Sequence, residues 1–263
     1  MAEWRALAGP LAARVAGRGR RLVFVHGFTQ TGASWVPIAE HFVQRGHEVV
    51  VVDLPGHGGS ATVRADLRRT ADLLATTAGP GAYVGYSLGG RVCLHLALMY
   101  PHVVEHLAVL GATPGIDDDD ERAARRTADE ALAVRILDIG VERFIDEWTA
   151  QPLFGGHVLT TEDRSDRCRN TASGLASSLR LSGTGTQVPL WDRLKELNMP
   201  VLAMAGDRDE KFVAIAERVG ASAPHGTFGA IHDAAHAAHL QQPMQVITRL
   251  ERALHGPARL PLD

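Results

Sequence analysis

Cysteine is nearly absent: the 263 residues include only Cys93 and Cys168. Neither belongs to a CxxC pair, so a disulfide framework and a cysteine-based metal site are both set aside, and buried free thiols are expected. Cys93 falls inside a helix-like run rather than at a turn, which argues against a thiol nucleophile. A long apolar run is also missing. No stretch approaches the ~20 residues of a membrane-spanning helix, and Met1 to Gly19, although it carries arginines, lacks the apolar centre of a secretion signal. Charge of one sign is not in excess either. The 27 basic and 30 acidic residues sum to a net charge of −3, which leaves no electrostatic footprint for nucleic acid or an anionic membrane. These absences point to a soluble cytoplasmic protein that acts on a small molecule. They leave its oligomeric state open. What is present is 45% hydrophobic content on a chain long enough for a full core, either one large domain or a core with an insertion.

One stretch organises the rest. Gly85-Tyr86-Ser87-Leu88-Gly89-Gly90 fits Gly-x-Ser-x-Gly, with a short apolar run before it (Ala82 to Val84) and a helix-like run after it (Arg91 to Tyr100). A nucleophile elbow requires that context: glycines on either side of the serine let strand and helix pack around a strained turn that exposes the hydroxyl. Ser87 is therefore the candidate reacting group.

Along the chain, residues 3 to 15 read as an edge hairpin around Gly9-Pro10, and Arg21 to Val25 as a strand buried on both faces, ending in His26-Gly27-Phe28. A helix is predicted from an N-cap at Ser34 through Arg45. The strand Val49 to Val52 then leads into the loop Asp53-Leu54-Pro55-Gly56-His57-Gly58-Gly59-Ser60. A helix over Asp66 to Thr77, the strand and helix around Ser87, and a strand over His106 to Leu110 complete an alternation that predicts an α/β fold with a mostly parallel, doubly wound sheet. Sites in such sheets form at the carboxyl ends of the strands, where His26, Asp53 and Ser87 all fall.

From Asp117 to about Arg180 the pattern is helical throughout: Glu121 to Leu137, Val141 to Thr149 and Glu162 to Leu181, broken at Pro152 and Gly155-Gly156. This predicts a helical cap over residues 112–186 inserted into a core formed by 1–111 and 187–263. The acidic run Asp117 to Asp120 suits a solvated helix start, where carboxylates complement the helix dipole. Alternation resumes with a strand over Val201 to Ala205, a helix over Phe212 to Val219, a strand over Gly226 to Ile231 and a helix over Met244 to Leu254. His255 to Asp263 is expected to be a frayed tail.

A serine hydroxyl needs an imidazole to take its proton and a carboxylate to orient that imidazole. In the α/β-hydrolase fold these arrive in chain order Ser, acid, His. Asp209, three residues past Gly206, fits the acid, while Asp207 reads as a turn former. Among His232, His236 and His239, the middle one lies seven residues before Pro243 and fits the loop histidine. The spacing of the three also permits a metal reading, but no acidic ligand pattern accompanies it. The backbone N–H groups of Phe28 and Leu88 are the expected oxyanion hole. His26 and His57 fit structural turns better than bases.

Beyond the general pattern, the chain resembles the 2-succinyl-6-hydroxy-2,4-cyclohexadiene-1-carboxylate synthases of menaquinone biosynthesis. The resemblance rests on Val25-His26-Gly27-Phe28, the Asp53 to Ser60 loop, Gly85 to Arg91, Trp148 with Gln151-Pro152-Leu153-Phe154, Gly174-Leu175-Ala176 through Leu179-Arg180, Gly183-Thr184-Gly185-Thr186-Gln187 with Leu190-Trp191, and Gly206 to Phe212. It covers core and cap. It implies elimination of pyruvate from a cyclohexene polycarboxylate bearing an enolpyruvyl ether, with Ser87 as a base relayed through His236 and Asp209 and no cofactor or metal. It also implies substrate-binding roles for Arg91, Arg125 and Arg167, with Tyr86 and Trp148 at pocket positions; arginine pairs carboxylates bidentately. Ala235 departs from the glycine that usually precedes the histidine, and Thr149 replaces an aromatic found in some members. The rival readings are a carboxylesterase or thioesterase working through an acyl-serine, and a non-catalytic receptor. A dehalogenase is disfavoured because its elbow nucleophile is an aspartate.

Overall fold

Alternating side chains of short β-rich runs sort onto two apolar faces in the computed structural model, which describes residues 2–254. The strands are β1 (Arg5–Leu7), β2 (Ala13–Gly17), β3 (Arg21–Val25), β4 (Glu48–Val52), β5 (Gly81–Tyr86), β6 (Val104–Leu110), β7 (Val201–Gly206) and β8 (Gly226–Ile231). They form one eight-stranded sheet in the order β1-β2-β4-β3-β5-β6-β7-β8. The hairpin β1–β2 is antiparallel and pairs antiparallel with β4; the remaining neighbours are parallel.

The helices are α1 (Val36–Gln44), α2 (Leu67–Ala78), α3 (Leu88–Met99), α4 (Asp119–Ile139), α5 (Val141–Thr149), α6 (Thr161–Cys168), α7 (Ala172–Ser182), α8 (Glu210–Ser222), α9 (Ala238–Gln241) and α10 (Pro243–Leu254). On one face Val23, Val25, Val50, Val52 and Tyr83 pack with α2, α3 and α8; on the other Leu22, Phe24, Val49, Val51 and Val84 pack with α1 and α10. This is the α/β-hydrolase architecture. No helix among the described residues is long and apolar enough to cross a membrane.

The chain leaves the sheet after Leu110 and re-enters it at Val201. Between these points Ala133, Ile136, Phe144, Leu175, Ala176 and Leu179 build a small apolar core of their own, against which Phe28 and Trp148 pack. We refer to this helical segment as the cap.

Three sequence expectations are corrected. Ser34 does not cap α1; Thr31 caps a 3-10 turn, Gly32–Trp35, by accepting from Ala33 N at 3.2 Å, and the helix proper starts at Val36 with a proline in its first turn. The single helix expected over Glu162 to Leu181 is two. Thr171 starts α7 by accepting from Gly174 N, and the Arg169–Thr171 corner places Asn170 inside the protein. The short α9 lies inside the loop that carries the histidines. The expected frayed tail, 255–263, lies outside the described residues.

Candidate active site

Ser87 sits between β5 and α3 with φ +50°, a conformation L-residues rarely adopt. Packing imposes it. A Cβ on Gly85 would come within 2.5 Å of Gly89 O, and one on Gly89 within 2.2 Å of Val25 O. Only glycines on both sides let α3 start this close to the sheet, and that closeness turns the serine outward. This is the physical content of the Gly-x-Ser-x-Gly signal.

Ser87 Oγ lies 3.1 Å from His236 Nε2, and His236 Nδ1 lies 2.8 Å from Asp209 Oδ2. The chain order expected for the fold thus becomes a continuous hydrogen-bonded line, contributed by the end of β5, the loop after β8 and the first residue before α8. Asp209 and His236 are both buried. Asp209 also caps α8 by accepting from Phe212 N, and Phe212 in turn packs its ring 4.5 Å from that of His236. Asp207 accepts instead from the exposed His232, and His239 lies against Tyr86 and Trp35, so the three loop histidines face different neighbours. Among the described residues no group of three or more His, Cys, Asp or Glu is arranged to hold a metal ion. Ala235, where a glycine was expected, is accommodated: its N–H donates to Gln241 Oε1 at 2.6 Å.

His26 and His57 are structural, in line with the turn reading. Each ring accepts from a backbone N–H through Nε2, from Leu54 at 2.9 Å and Thr29 at 3.3 Å, while Nδ1 lies near Gly27 O and Pro55 O. Accepting through Nε2 requires the neutral ring protonated at Nδ1. Burial lowers the pKa of both, that of His57 to about 3, with the neighbouring His26 adding to the effect. Cys93 is fully buried, and burial pushes its thiol up, which suits an inert core thiol.

A cavity of about 110 Å³ opens over Ser87 and His236, lined by Phe28, Tyr86, Leu88, Trp148, Arg91 and Arg125 among others. The structure therefore gathers every sequence-picked residue of the site around one space except Asp209, which stands behind His236, and Arg167. The two cavity arginines differ. Arg91, on the first turn of α3, is only 7% exposed. Its Nη1 donates to Ser182 O at 2.8 Å and to Gln187 Oε1 at 3.5 Å, both neutral acceptors. Burial, then the nearby Arg125, pull its pKa down to about 9, so it is a cation at neutral pH, but an under-compensated one. Arg125, on α4, is 40% exposed at its side chain and is neutralised by the buried Asp129 one turn on, at 2.8 Å. Arg167 is buried outside the cavity lining, and its Nη1 donates to Thr29 Oγ1. Trp148 stacks on Phe144 and meets the Phe28 ring edge-on, and its buried Nε1 has no acceptor among the described residues. Burial raises the Tyr86 phenol well above its ordinary range, so it stays protonated.

Sequence reasoning missed Gln187, Thr29 and Asn170. Gln187 ends the Gly-Thr-Gly-Thr-Gln stretch that marked the resemblance, so a signal existed. Thr29 and Asn170 gave none.

The fold, with its elbow and capped cavity, defines the class of α/β-hydrolase-fold enzymes, and a family model described by that fold matches residues 20–138. A Salmonella newport protein named 2-succinyl-6-hydroxy-2,4-cyclohexadiene-1-carboxylate synthase is 34% identical over 243 residues, which cover 89% of this chain and 93% of the relative. A Bacillus subtilis protein that carries the same name provisionally is 35% identical over 238 residues, 84% of this chain and 85% of its own. The solved structure of MenH from S. aureus superposes with a TM-score of 0.83 at 30% identity, covering 92% of this chain and 97% of that one. This chain belongs to the family of these synthases within the α/β-hydrolase fold. An esterase from Thermogutta terrifontis at 23% identity, TM-score 0.79, covering 96% of this chain and 98% of its own, shares the fold alone.

Proposed function

We propose that the chain is a 2-succinyl-6-hydroxy-2,4-cyclohexadiene-1-carboxylate synthase, eliminating pyruvate from a cyclohexene polycarboxylate that carries an enolpyruvyl ether. In this reading Ser87, His236 and Asp209 are the catalytic groups. His236 Nε2 takes the Ser87 proton while Asp209 holds Nδ1–H, and the serine oxygen removes a ring proton next to the substrate's ketone. The ketone oxygen becomes an enolate between the N–H groups of Phe28 and Leu88. Its electrons return through the ring double bond and expel the enolpyruvyl oxygen, which takes up a proton and tautomerises to pyruvate. The step neither oxidises nor reduces the ring-plus-pyruvate pair and calls on no further reactant. A cytoplasmic setting and a small-molecule partner belong to the same proposal.

Arg91 carries this reading. A guanidinium buried beside the serine and bonded only to neutral acceptors is stabilised by a substrate anion; with neutral esters it remains a desolvation cost. Arg125 on the same cavity wall adds a second cation, and Tyr86 and Trp148 flank the ring position. The deciding experiment gives the purified protein the enolpyruvyl substrate and follows pyruvate in a coupled assay, beside a p-nitrophenyl ester. Pyruvate release with poor ester turnover is expected. Ester turnover at ordinary esterase rates with no pyruvate would establish the acyl-serine hydrolase instead.

A further inference from the structure

The loop that carries Phe28 is held from both the sheet half and the cap. It begins at Gly27, where a Cβ would lie 2.5 Å from the Tyr86 ring, and it passes through Thr29 at φ +69°, a strained angle for a β-branched residue. Within the sheet half, Gly27 N donates to Gln30 Oε1 at 3.1 Å and Thr29 N to His57 Nε2 at 3.3 Å, and the cap supplies a second set of bonds. Asn170, between α6 and α7, is 5% exposed, and its side chain donates from Nδ2 to Thr29 O at 2.7 Å and to Arg167 O at 2.9 Å. Its Oδ1 accepts from Gly58 N at 2.8 Å. Arg167 donates to the Thr29 hydroxyl, and the Thr31 hydroxyl donates to Asp166 Oδ2 at 2.6 Å. Beside this contact α7 presses on the 53–60 loop so closely that a Cβ on Gly174 would lie 2.4 Å from Gly56 O. Three polar anchors within five residues of one cap corner, Asp166, Arg167 and Asn170, thus reach two strand-end loops more than a hundred residues away.

We propose that Asn170 is a positioning residue: from the cap, with Asp166 and Arg167 beside it, it fixes the loop whose Phe28 N–H faces the developing oxyanion. The inference rests on the reading of Phe28 as an oxyanion donor. Arg167, to which the family resemblance gave a substrate carboxylate, also donates to the Thr29 hydroxyl of this loop. Oxyanion donors work only when held at hydrogen-bond distance from where charge develops, and a misplacement of 1 Å can cost about a hundredfold in rate. The cap corner supplies part of that fixation, so cap docking and the geometry of the oxyanion hole are coupled.

The test compares Asn170→Ala, Asn170→Asp and Asp166→Ala with the wild type by pyruvate release, thermal melting and amide hydrogen exchange. Asn170→Asp keeps the acceptor for Gly58 N but replaces the donor to Thr29 O with a repelling oxygen, so it separates loop fixation from cap docking. Both Asn170 variants are expected to lose about 10- to 100-fold in kcat with KM changed less than about threefold, and Asp166→Ala to lose less. Amides of residues 27–31 are expected to exchange faster in each. A KM increase at unchanged kcat, or kcat within twofold of wild type in folded Asn170 variants, would overturn the proposal. Should both Asn170 variants fail to fold, the half-buried Asp166→Ala carries the test: wild-type kcat together with unchanged exchange overturns it. A wild type that releases no pyruvate would sink the substrate reading alone, because the exchange comparison stands without any activity.

Discussion

Near the strand ends several polar side chains are closed off by backbone groups, while on the cap surface several charged side chains are closed off by one another. Around the strand ends, His26 and His57 accept from Leu54 and Thr29, and Asp53 accepts from Gly32 N and Gly59 N at 2.8 Å each. In the cap, arginines meet carboxylates at the surface: Arg135 with Glu147, Arg164 with Asp146, Arg180 with Glu130. The first kind of contact fixes a position, since a backbone N–H cannot wander. The second joins two flexible side chains in water and fixes little. The groups proposed for the chemistry sit on the sheet half, and the cap meets them through the same kind of bond at Asn170 and at the Arg91–Ser182 contact.

The largest expected effect falls on the sheet half. Ser87→Ala removes the reacting oxygen from a line of groups that act as a unit, and kcat for pyruvate release should fall by roughly 10⁴-fold or more. Its thermal midpoint should stay close to wild type, since among the described residues the serine side chain bonds only to His236. Activity within tenfold of wild type would remove the catalytic reading of the elbow.

The next effect separates the two cavity arginines. Arg91→Ala takes away a buried, preorganised cation and should lower kcat/KM for pyruvate release by about 10²- to 10³-fold, in keeping with the loss of strong charge-assisted bonds. Arg125→Ala removes a cation already neutralised by Asp129 and open to water, and a loss of about tenfold is expected. Ester turnover should respond little to either. Equal losses would mean that the cap arginine shares the role of the core one, and the contrast between the two halves would not extend to substrate binding.

What could be read from residues alone follows the same division. Apolar alternation and the glycines of the elbow are local signals, so the sheet, Ser87, Asp209 and His236 were legible, and so was Arg91 one turn into α3. The cap's corner was not. Glu162 to Leu181 carries enough helix formers to read as one helix, and its break rests on Thr171 capping α7 and Asn170 turning inward to partners at Thr29 and Gly58. Thr29 shows nothing in sequence of its positive φ, since a threonine there is held by contacts from residues 57, 167 and 170. Arg167 was legible as a charge but not as a buried tether.

Acid should act on the sheet half through its neutral histidines. His57 has its pKa lowered to about 3 in the fold, against an ordinary 6.5. Below about pH 6.5 the unfolded chain binds a proton that the folded protein refuses, so the stability that neutral His57 contributes is lost as the pH falls from there toward 3. Buried His95, lowered to about 4 by burial and then by Arg91, adds to the same slope. Each such group contributes about 1.4 kcal/mol per pH unit across that window. In His57→Gln, whose amide can replace both ring contacts, urea unfolding followed from pH 7 to 4 should show a slope shallower by about one proton. An unchanged slope would place the acid sensitivity elsewhere.

The smallest effect is expected where the cap looks most heavily bonded. Arg180 and Glu130 join α7 to α4 through two hydrogen bonds, from Nε at 2.8 Å and Nη2 at 2.6 Å, and on geometry alone the pair rivals any contact in the site. Both side chains are about half exposed, so solvent screens the attraction and the freed groups regain full hydration when the pair is broken. Asn170 differs because its partners are backbone groups, that of Thr29 fully buried, and an unpaired buried carbonyl is costly. Glu130→Ala should therefore leave the melting midpoint and kcat indistinguishable from wild type, while the Asn170 variants lose rate. If Glu130→Ala slowed pyruvate release as much as Asn170→Ala, the surface pairs would be what holds the cap corner over the Phe28 loop, and the two halves of the molecule would not differ in how they fix the site.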